Sequence, residues 1–256
     1  MNFISRFLFE LQGITLLFSR VLKGLGKRPR YTNEMIQQLD LIGVGSLGIV
    51  ILTGFFTGGV LILQAYPTLK YYGAQSSAGQ GVATTLIREL GPVLTALMVA
   101  GRVGSAISAE LGSMVVSQQI DAMRALGTSP VRKLVTPRLV ALILAMPLLT
   151  VASDIFGLFG GGVVALQIYG LDSGTYISSV RNGIGIEDLI GGIIKPVIFG
   201  LIIGMIACYK GLDTKGGTVG VGVSTTNAVV IASITVIISD FFLSKALQGF
   251  FSTTIF

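Results

Sequence analysis

The stretch whose reading decides the fold runs from Arg88 to Pro130, RELGPVLTALMVAGRVGSAISAELGSMVVSQQIDAMRALGTSP. From Leu90 to Ala109 its only charge is Arg102, and this run is long enough to cross a bilayer as a helix. Small residues recur at every fourth position, Ala100, Gly104, Ser108 and Gly112, beside a second row of Gly101, Ser105 and Ala109. Such rows let another helix approach closely where lipid supplies no hydrophobic drive for association. The pattern then changes: Val116, Ile120 and Met123 share one face of a helix over 116–126, with Gln118, Asp121 and Arg124 turned elsewhere. Gly127 is placed to cap that helix and Pro130 to stop it resuming. A spanning helix followed by a short amphipathic one outside the membrane predicts a permease pushed by a partner.

Composition agrees. The chain is 52% hydrophobic and 12% charged, with 35 glycines and a mean hydropathy of +0.82, the profile of a polytopic membrane protein. A single Cys208 excludes an internal disulfide. Histidine is absent, which removes the commonest metal ligand and proton shuttle and argues against metal or His-based catalysis.

Outward from the central stretch, Ile4, Phe7, Leu11, Ile14, Phe18, Val21 and Leu25 step by three and four along residues 1–25. That spacing predicts an interfacial amphipathic helix rather than a cleaved signal peptide, because Arg6 and Glu10 interrupt any apolar leader. The cluster Lys27, Arg28 and Arg30 completes an N-terminal segment of residues 1–30. Spans follow at Leu41–Leu63, Leu90–Ala109, Leu139–Ala165, Leu189–Tyr209 and Thr218–Ser239. A loop is expected from Lys70 to Arg88. Asp154 and Gly160–Gly162 are expected to break the third span, Lys195-Pro196 the fourth, and Asp240 to end the fifth. The predicted architecture is an all-α membrane protein: a single permease domain over 1–256 with a membrane core at 41–247, five transmembrane helices and a short cytoplasmic coupling helix between spans two and three. With the N-terminus inside, twelve Lys and Arg fall in cytoplasmic segments and four outside, while Arg102 and Lys195 lie within spans. The helix at 116–126 is therefore expected on the cytoplasmic side. No phosphate-cradling G-x-x-x-x-G-K-[ST] is present, and Gly211–Gly217 has the wrong spacing, so hydrolysis is expected on a separate subunit.

Ionisable groups at membrane depth are costly unless paired or hydrated, and each is a candidate for function. Counting about 1.5 Å per residue places Glu89, Asp154, Lys195 and Asp240 in the outer half of the bilayer. Two readings stay open for Lys195. It pairs with Asp154 or Asp240 and offsets their burial, or, with Arg88, it supplies positive charge to a phosphate headgroup. Arg102, Asp154 and Asp240 are read as structural charges.

The block RELGPVLTALMVAGRVGSAISAELGSM, followed by QIDAMRALGTSPVRKLVTPR, resembles the signature of the MlaE family, the permease subunits of Mla-type, MCE-associated ABC lipid transporters. PLLT at 147–150, GLDSG at 170–174, the fourth span with Lys195 and the last span reaching Asp240 extend the resemblance from about residue 40 onward. The resemblance implies a second copy of the chain, a cytoplasmic ABC ATPase that uses the ATP, and a periplasmic MCE-domain protein. It implies no cofactor on this chain, a multi-pass place in a cell inner membrane, and phospholipid transport in support of outer-membrane lipid asymmetry. It also implies a lipid pocket at Leu61, Leu69 and Tyr72, with headgroup roles for Arg88, Glu89 and Lys195. Asp121–Gly127 is similar to the ATPase-docking loop of ABC importers, with Asp for the leading Glu and a shorter interval to Pro137; the implied coupling residues are Ile120, Asp121, Met123, Arg124 and Gly127. Two other classes compete: an ion-coupled secondary transporter using Asp154, against which no inverted repeat is visible, and a scaffold that conducts nothing.

Overall fold

The computed structural model describes residues 3–25 and 31–254, and among them there is no strand. Helix α1 (Phe3–Leu25) is followed by α2 (Thr32–Leu39) and α3 (Gly45–Tyr71), joined by a π-turn at Asp40–Val44. A 3₁₀ turn at Gln75–Ser77 leads into α4 (Ala78–Thr85), α5 (Gly91–Val99) and α6 (Ser105–Val116), with π-turns at Leu86–Leu90 and Ala100–Gly104 between them. Then come α7 (Gln119–Ala125), a π-turn at Val131–Val135, α8 (Thr136–Gln167), α9 (Ser173–Gly183), α10 (Ile186–Leu212) and α11 (Gly217–Thr254). Among the described residues, five helical stretches are long and apolar enough to cross a membrane: Thr32–Tyr71, Gln75–Val116, Val131–Gln167, Ile186–Leu212 and Gly217–Phe250.

Every span outruns its expected bounds. The segment from Lys70 to Arg88 is not a loop: the chain turns at Tyr72–Ala74 and is helical again from Gln75. Asp154 and Gly160–Gly162 do not break α8, Lys195-Pro196 does not break α10, and α11 continues past Asp240. Hydropathy marks which part of a helix lipid can cover; a helix satisfies its own backbone and has no reason to stop where a polar side chain begins. The basic cluster Lys27, Arg28 and Arg30 lies outside the described residues.

Cα proximity groups the chain into two compact units, each assembled from three separate segments. The first comprises Met1–Val44, Val99–Ala145 and Phe199–Val236. Here the first small-residue row is buried: Gly211 of α10 lies against Ser108 and Leu111, and Gly112 against Thr214. The second row faces outward, with Gly101 exposed and Ser105 and Ala109 half-buried. Helix α1 buries Leu17 and Val21, sets Gly13 on the Tyr209 ring and Gly24 on Arg132, and joins Glu10 to Lys210 at 2.6 Å. Its contact line therefore runs through Leu17 and only part of the expected stripe, since Leu11 is exposed.

The second unit comprises Gly45–Met98, Met146–Ile198 and Ile237–Phe256. Helices α3 and α8 meet backbone to backbone, Gly58 against the Gly157 carbonyl and Gly160 against that of Phe55, which only residues without a Cβ permit. An apolar cluster of Ile62, Tyr66, Val82, Leu86, Ala165 and Tyr176 lies beside this contact. Helix α9, for which the hydropathy pattern gave no sign, packs on α4: the Gln80 N–H donates to Ser179 Oγ at 2.9 Å and Thr84 Oγ1 to the Gly183 carbonyl at 2.9 Å. Tyr176 anchors it from within, its hydroxyl donating to the Leu158 carbonyl at 2.9 Å while burial pushes the phenol up to about 12.

Candidate functional site

The second unit assembles its charges around Lys195, which is 1% exposed. An ammonium has three protons to give. They go to the Arg88 carbonyl at 2.8 Å, Glu89 Oε2 at 2.7 Å and Ser244 Oγ at 2.8 Å. Ser244 Oγ in turn donates to Glu89 Oε2 at 3.1 Å. Asp240 Oδ1 lies 3.1 Å from the same nitrogen, an ion pair that receives charge but no hydrogen bond.

Local sequence explains why an ammonium fits there. In a helix the carbonyl of Arg88 would accept from the N–H of residue 92, but residue 92 is proline and has none. The π-turn at Leu86–Leu90 opens the same stretch. Lys195 Nζ takes the place of the missing donor. On α11, Asp240 and Ser244 are one turn apart and so present both side chains to one place.

Arg88 is committed elsewhere. Its Nε and Nη2 both lie 2.7 Å from Asp188 Oδ1, and Asp188 Oδ2 accepts the Gly185 N–H at 3.1 Å at the start of α10. Asp188 is buried whereas the Arg88 side chain is 45% exposed, so the guanidinium keeps an outward edge. Glu89, 34% exposed, is the other accessible member.

The arrangement corrects part of the expectation. Lys195 pairs with Glu89 and Asp240, and not with Asp154. Asp240 therefore belongs to the Lys195 cluster, as one of the two readings of Lys195 expected. Asp154 is buried against Gly91, and its Oδ1 has no hydrogen-bond partner. Leu61 and Leu69 are partly buried on the apolar cluster around Tyr66, while Tyr72 is exposed and stands edge-on to Tyr71 at 5.2 Å. Asp188 and Ser244 were missed. An acid in the first turn of α10 was the available sign for Asp188, and the four-residue step from Asp240 was the only sign for Ser244. Among the described residues no three of His, Cys, Asp and Glu gather as a metal site would require.

In the first unit, α7 is bounded by two left-handed residues, Gln118 at φ +59° and Gly127 at φ +72°. The Thr128 N–H donates to the Met123 carbonyl at 2.9 Å and that of Gly127 to Arg124 at 3.0 Å, the paired bonds of a glycine-terminated helix. Gly127 thus caps the helix as expected. The helix itself is shorter than 116–126, because Gln118 ends α6 before α7 begins. Pro130 stops nothing: it leads directly into the π-turn before α8, where a missing N–H costs no bond. Ile120 is buried, Met123 half-buried, and Asp121 and Arg124 are exposed and paired at 2.9 Å. Leu126 is 83% exposed. Arg102 sits on the exposed side of its π-turn.

The profile of the family described as Permease MlaE matches residues 35–246. A probable ABC transporter permease protein of Rickettsia typhi is 41% identical over 236 residues, 92% of this chain and 91% of that one. The intermembrane phospholipid transport system permease protein MlaE of Haemophilus influenzae is 38% identical over 216 residues, 84% of this chain and 83% of the other. Protein TRIGALACTOSYLDIACYLGLYCEROL 1 of Arabidopsis thaliana, chloroplastic, is 36% identical over 94% of this chain and 69% of its own. With five apolar spans among the described residues and matches of this extent, the chain belongs to the MlaE permease family.

Proposed function

We propose that this chain is the permease subunit of an ABC transporter that moves phospholipid between the inner membrane and a periplasmic MCE-type carrier, in support of outer-membrane lipid asymmetry. The Haemophilus relative, named for phospholipid transport, supports the substrate class. The observation that carries the site is the division of labour around Lys195. Its three protons are taken, so it acts as a positioning residue that holds Glu89, while the accessible Arg88 and Glu89 meet the ligand. The free edge of the Arg88 guanidinium suits a phosphate. Glu89 suits a headgroup amine, and apolar surface near Leu61 and Leu69 suits acyl chains. A zwitterionic headgroup matches such a pair of opposite charges better than an anionic one does.

The driving subunit docks on α7. Ile120 anchors the helix from within, and Asp121, Met123, Arg124 and the exposed Leu126 face outward for a cytoplasmic ATPase. A second copy of the chain covers outward-facing apolar surface of α11, where Val219, Val223, Val230, Ile234 and Ile237 are all exposed.

The test is the chain reconstituted in liposomes with and without its ATPase, with labelled phospholipid transfer as the readout. ATP-dependent transfer is expected only with both subunits. In that assembly Gly127→Val should leave hydrolysis running while transfer falls, because a β-branched residue resists φ > 0. Gradient-driven transport by this chain alone would replace the proposal with an ion-coupled carrier.

A further inference from the structure

We propose that the C-terminal end of α1 is a binding site for the headgroup of an anionic phospholipid, held by Arg20 and Lys23 in the leaflet on the side of α7. Helix α1 turns one face to the protein: Leu17 and Val21 are buried, and Glu10 is joined to Lys210 at 2.6 Å. Away from that face Leu8, Phe9, Leu11, Leu16 and Leu22 are all exposed. The hydroxyl of Thr15, exposed among them, donates to the Leu11 carbonyl at 2.8 Å and asks nothing of its surroundings. So much apolar surface on a helix that also carries charge belongs at the boundary between hydrocarbon and headgroups.

The charge is unevenly placed. Arg20 and Lys23 are exposed near the end of α1, three residues apart and so neighbours on the helix surface. Glu10, the one carboxylate of α1, lies about three turns before Arg20 and is taken by Lys210. The π-turn Val131–Val135, on which α1 packs, brings Arg132 and Lys133, both half-buried, and no acid. Exposed cations at the end of an apolar helix match an anionic lipid surface, which offers hydrocarbon to the leucines and phosphate oxygens to the guanidinium and ammonium. A protein partner would have to set carboxylates into an apolar surface and pay for their desolvation. A bilayer presents both together.

The place of α1 gives the lipid a consequence. The π-turn that carries α1 leads from the end of α7 into α8, so α1 and α7 lie on one side of the membrane. Gly24, next to Lys23, rests on Arg132 of that turn. A headgroup at Arg20 and Lys23 would offset the repulsion among these cations and keep α1 seated on the turn. The inference concerns α1 alone and stands whatever Arg88 and Glu89 bind.

The test is native mass spectrometry of the full-length chain in neutral detergent, titrated with phosphatidylglycerol or with zwitterionic phosphatidylcholine. Phosphatidylglycerol is expected to bind more tightly. Each basic residue beside an anionic headgroup is worth roughly fivefold in affinity, so Arg20→Gln with Lys23→Gln should weaken phosphatidylglycerol about twenty-five-fold and leave phosphatidylcholine unchanged. The charge-keeping pair Arg20→Lys with Lys23→Arg should retain the binding, as should the matched loss of two exposed charges elsewhere, Arg181→Gln with Lys245→Gln. Should the double glutamine variant fail to accumulate, Lys23→Gln alone decides, at about fivefold. Equal affinity for the two lipids would overturn the assignment, as would an equal loss in the Arg181 and Lys245 variant. Phosphatidylglycerol binding unchanged by the α1 variants, or displaced by inorganic phosphate, would overturn it too.

Discussion

The two units treat charge in opposite ways. In the first, each of these ion pairs joins one cation to one carboxylate and has a member in contact with the outside: Arg138 with a half-exposed Glu110 at 2.7 Å, Lys210 with Glu10, Asp121 with Arg124. In the second, Arg88 and Asp188 form a pair of the same kind, but the buried Lys195 is shared by Glu89 and Asp240, and Asp154 has no ion-pair partner. A pair with one wet partner can lose a member and rehydrate the other. A buried shared charge cannot, so losing Lys195 should cost more than losing a member of such a pair.

Removing each cation breaks or sharpens that contrast. Lys195→Ala would leave Glu89 and Asp240 facing each other without a counter-charge, and should cost about 3–5 kcal/mol, read as thermal unfolding in detergent. The triple variant Lys195→Met, Glu89→Gln, Asp240→Asn should recover most of that loss; a single Lys195→Ala that melted like the wild type would erase the contrast. Gly58→Ala comes next, at about 1–3 kcal/mol, because a methyl group there meets the Gly157 carbonyl. Arg138→Met is the matched experiment in the first unit. Arg138 is itself buried and its Nε has no partner, but Glu110 can turn to water, and the change should stay within about 1 kcal/mol of zero. A loss as large as that of Lys195→Ala would show the two units to be alike.

How much of this was legible follows the same line. The five spans are written in long apolar runs with at most one charge each, and the cap at Gly127 in a glycine after the last periodic residue; both are local signals, and both are present in the fold. Depth counting brought Glu89, Lys195 and Asp240 to one level because rise per residue is fixed. It could not say which carboxylate Lys195 meets, since that depends on how α10 and α11 are rotated, and Asp154 shares the level without sharing the cluster. Helix ends were misread for a physical reason: polar residues such as Asp240 end the hydropathy signal, yet α11 continues on backbone bonds alone. Helix α9 was missed because its length is short and its contacts with α4 are glycine and hydroxyl contacts, invisible to an apolar period.

The smallest effect tests whether backbone, rather than charge, sets local cost in the first unit. Gln118 and Gly127 both adopt left-handed backbone, at φ +59° and +72°, but only one is glycine. A side chain there costs about 1–2 kcal/mol, and a glycine adds back some chain entropy on unfolding, so Gln118→Gly should stabilise by roughly 0.5 kcal/mol. Because Gln118 joins α6 to α7, the same variant should loosen the start of α7 while leaving the Gly127 cap intact. The expected outcome is a slightly higher melting temperature and, in the assembly proposed above, weaker coupling of hydrolysis to lipid transfer. A variant that melts lower would mean that the Gln118 side chain makes contacts worth more than its backbone strain, and α7 would then be held by more than its two ends.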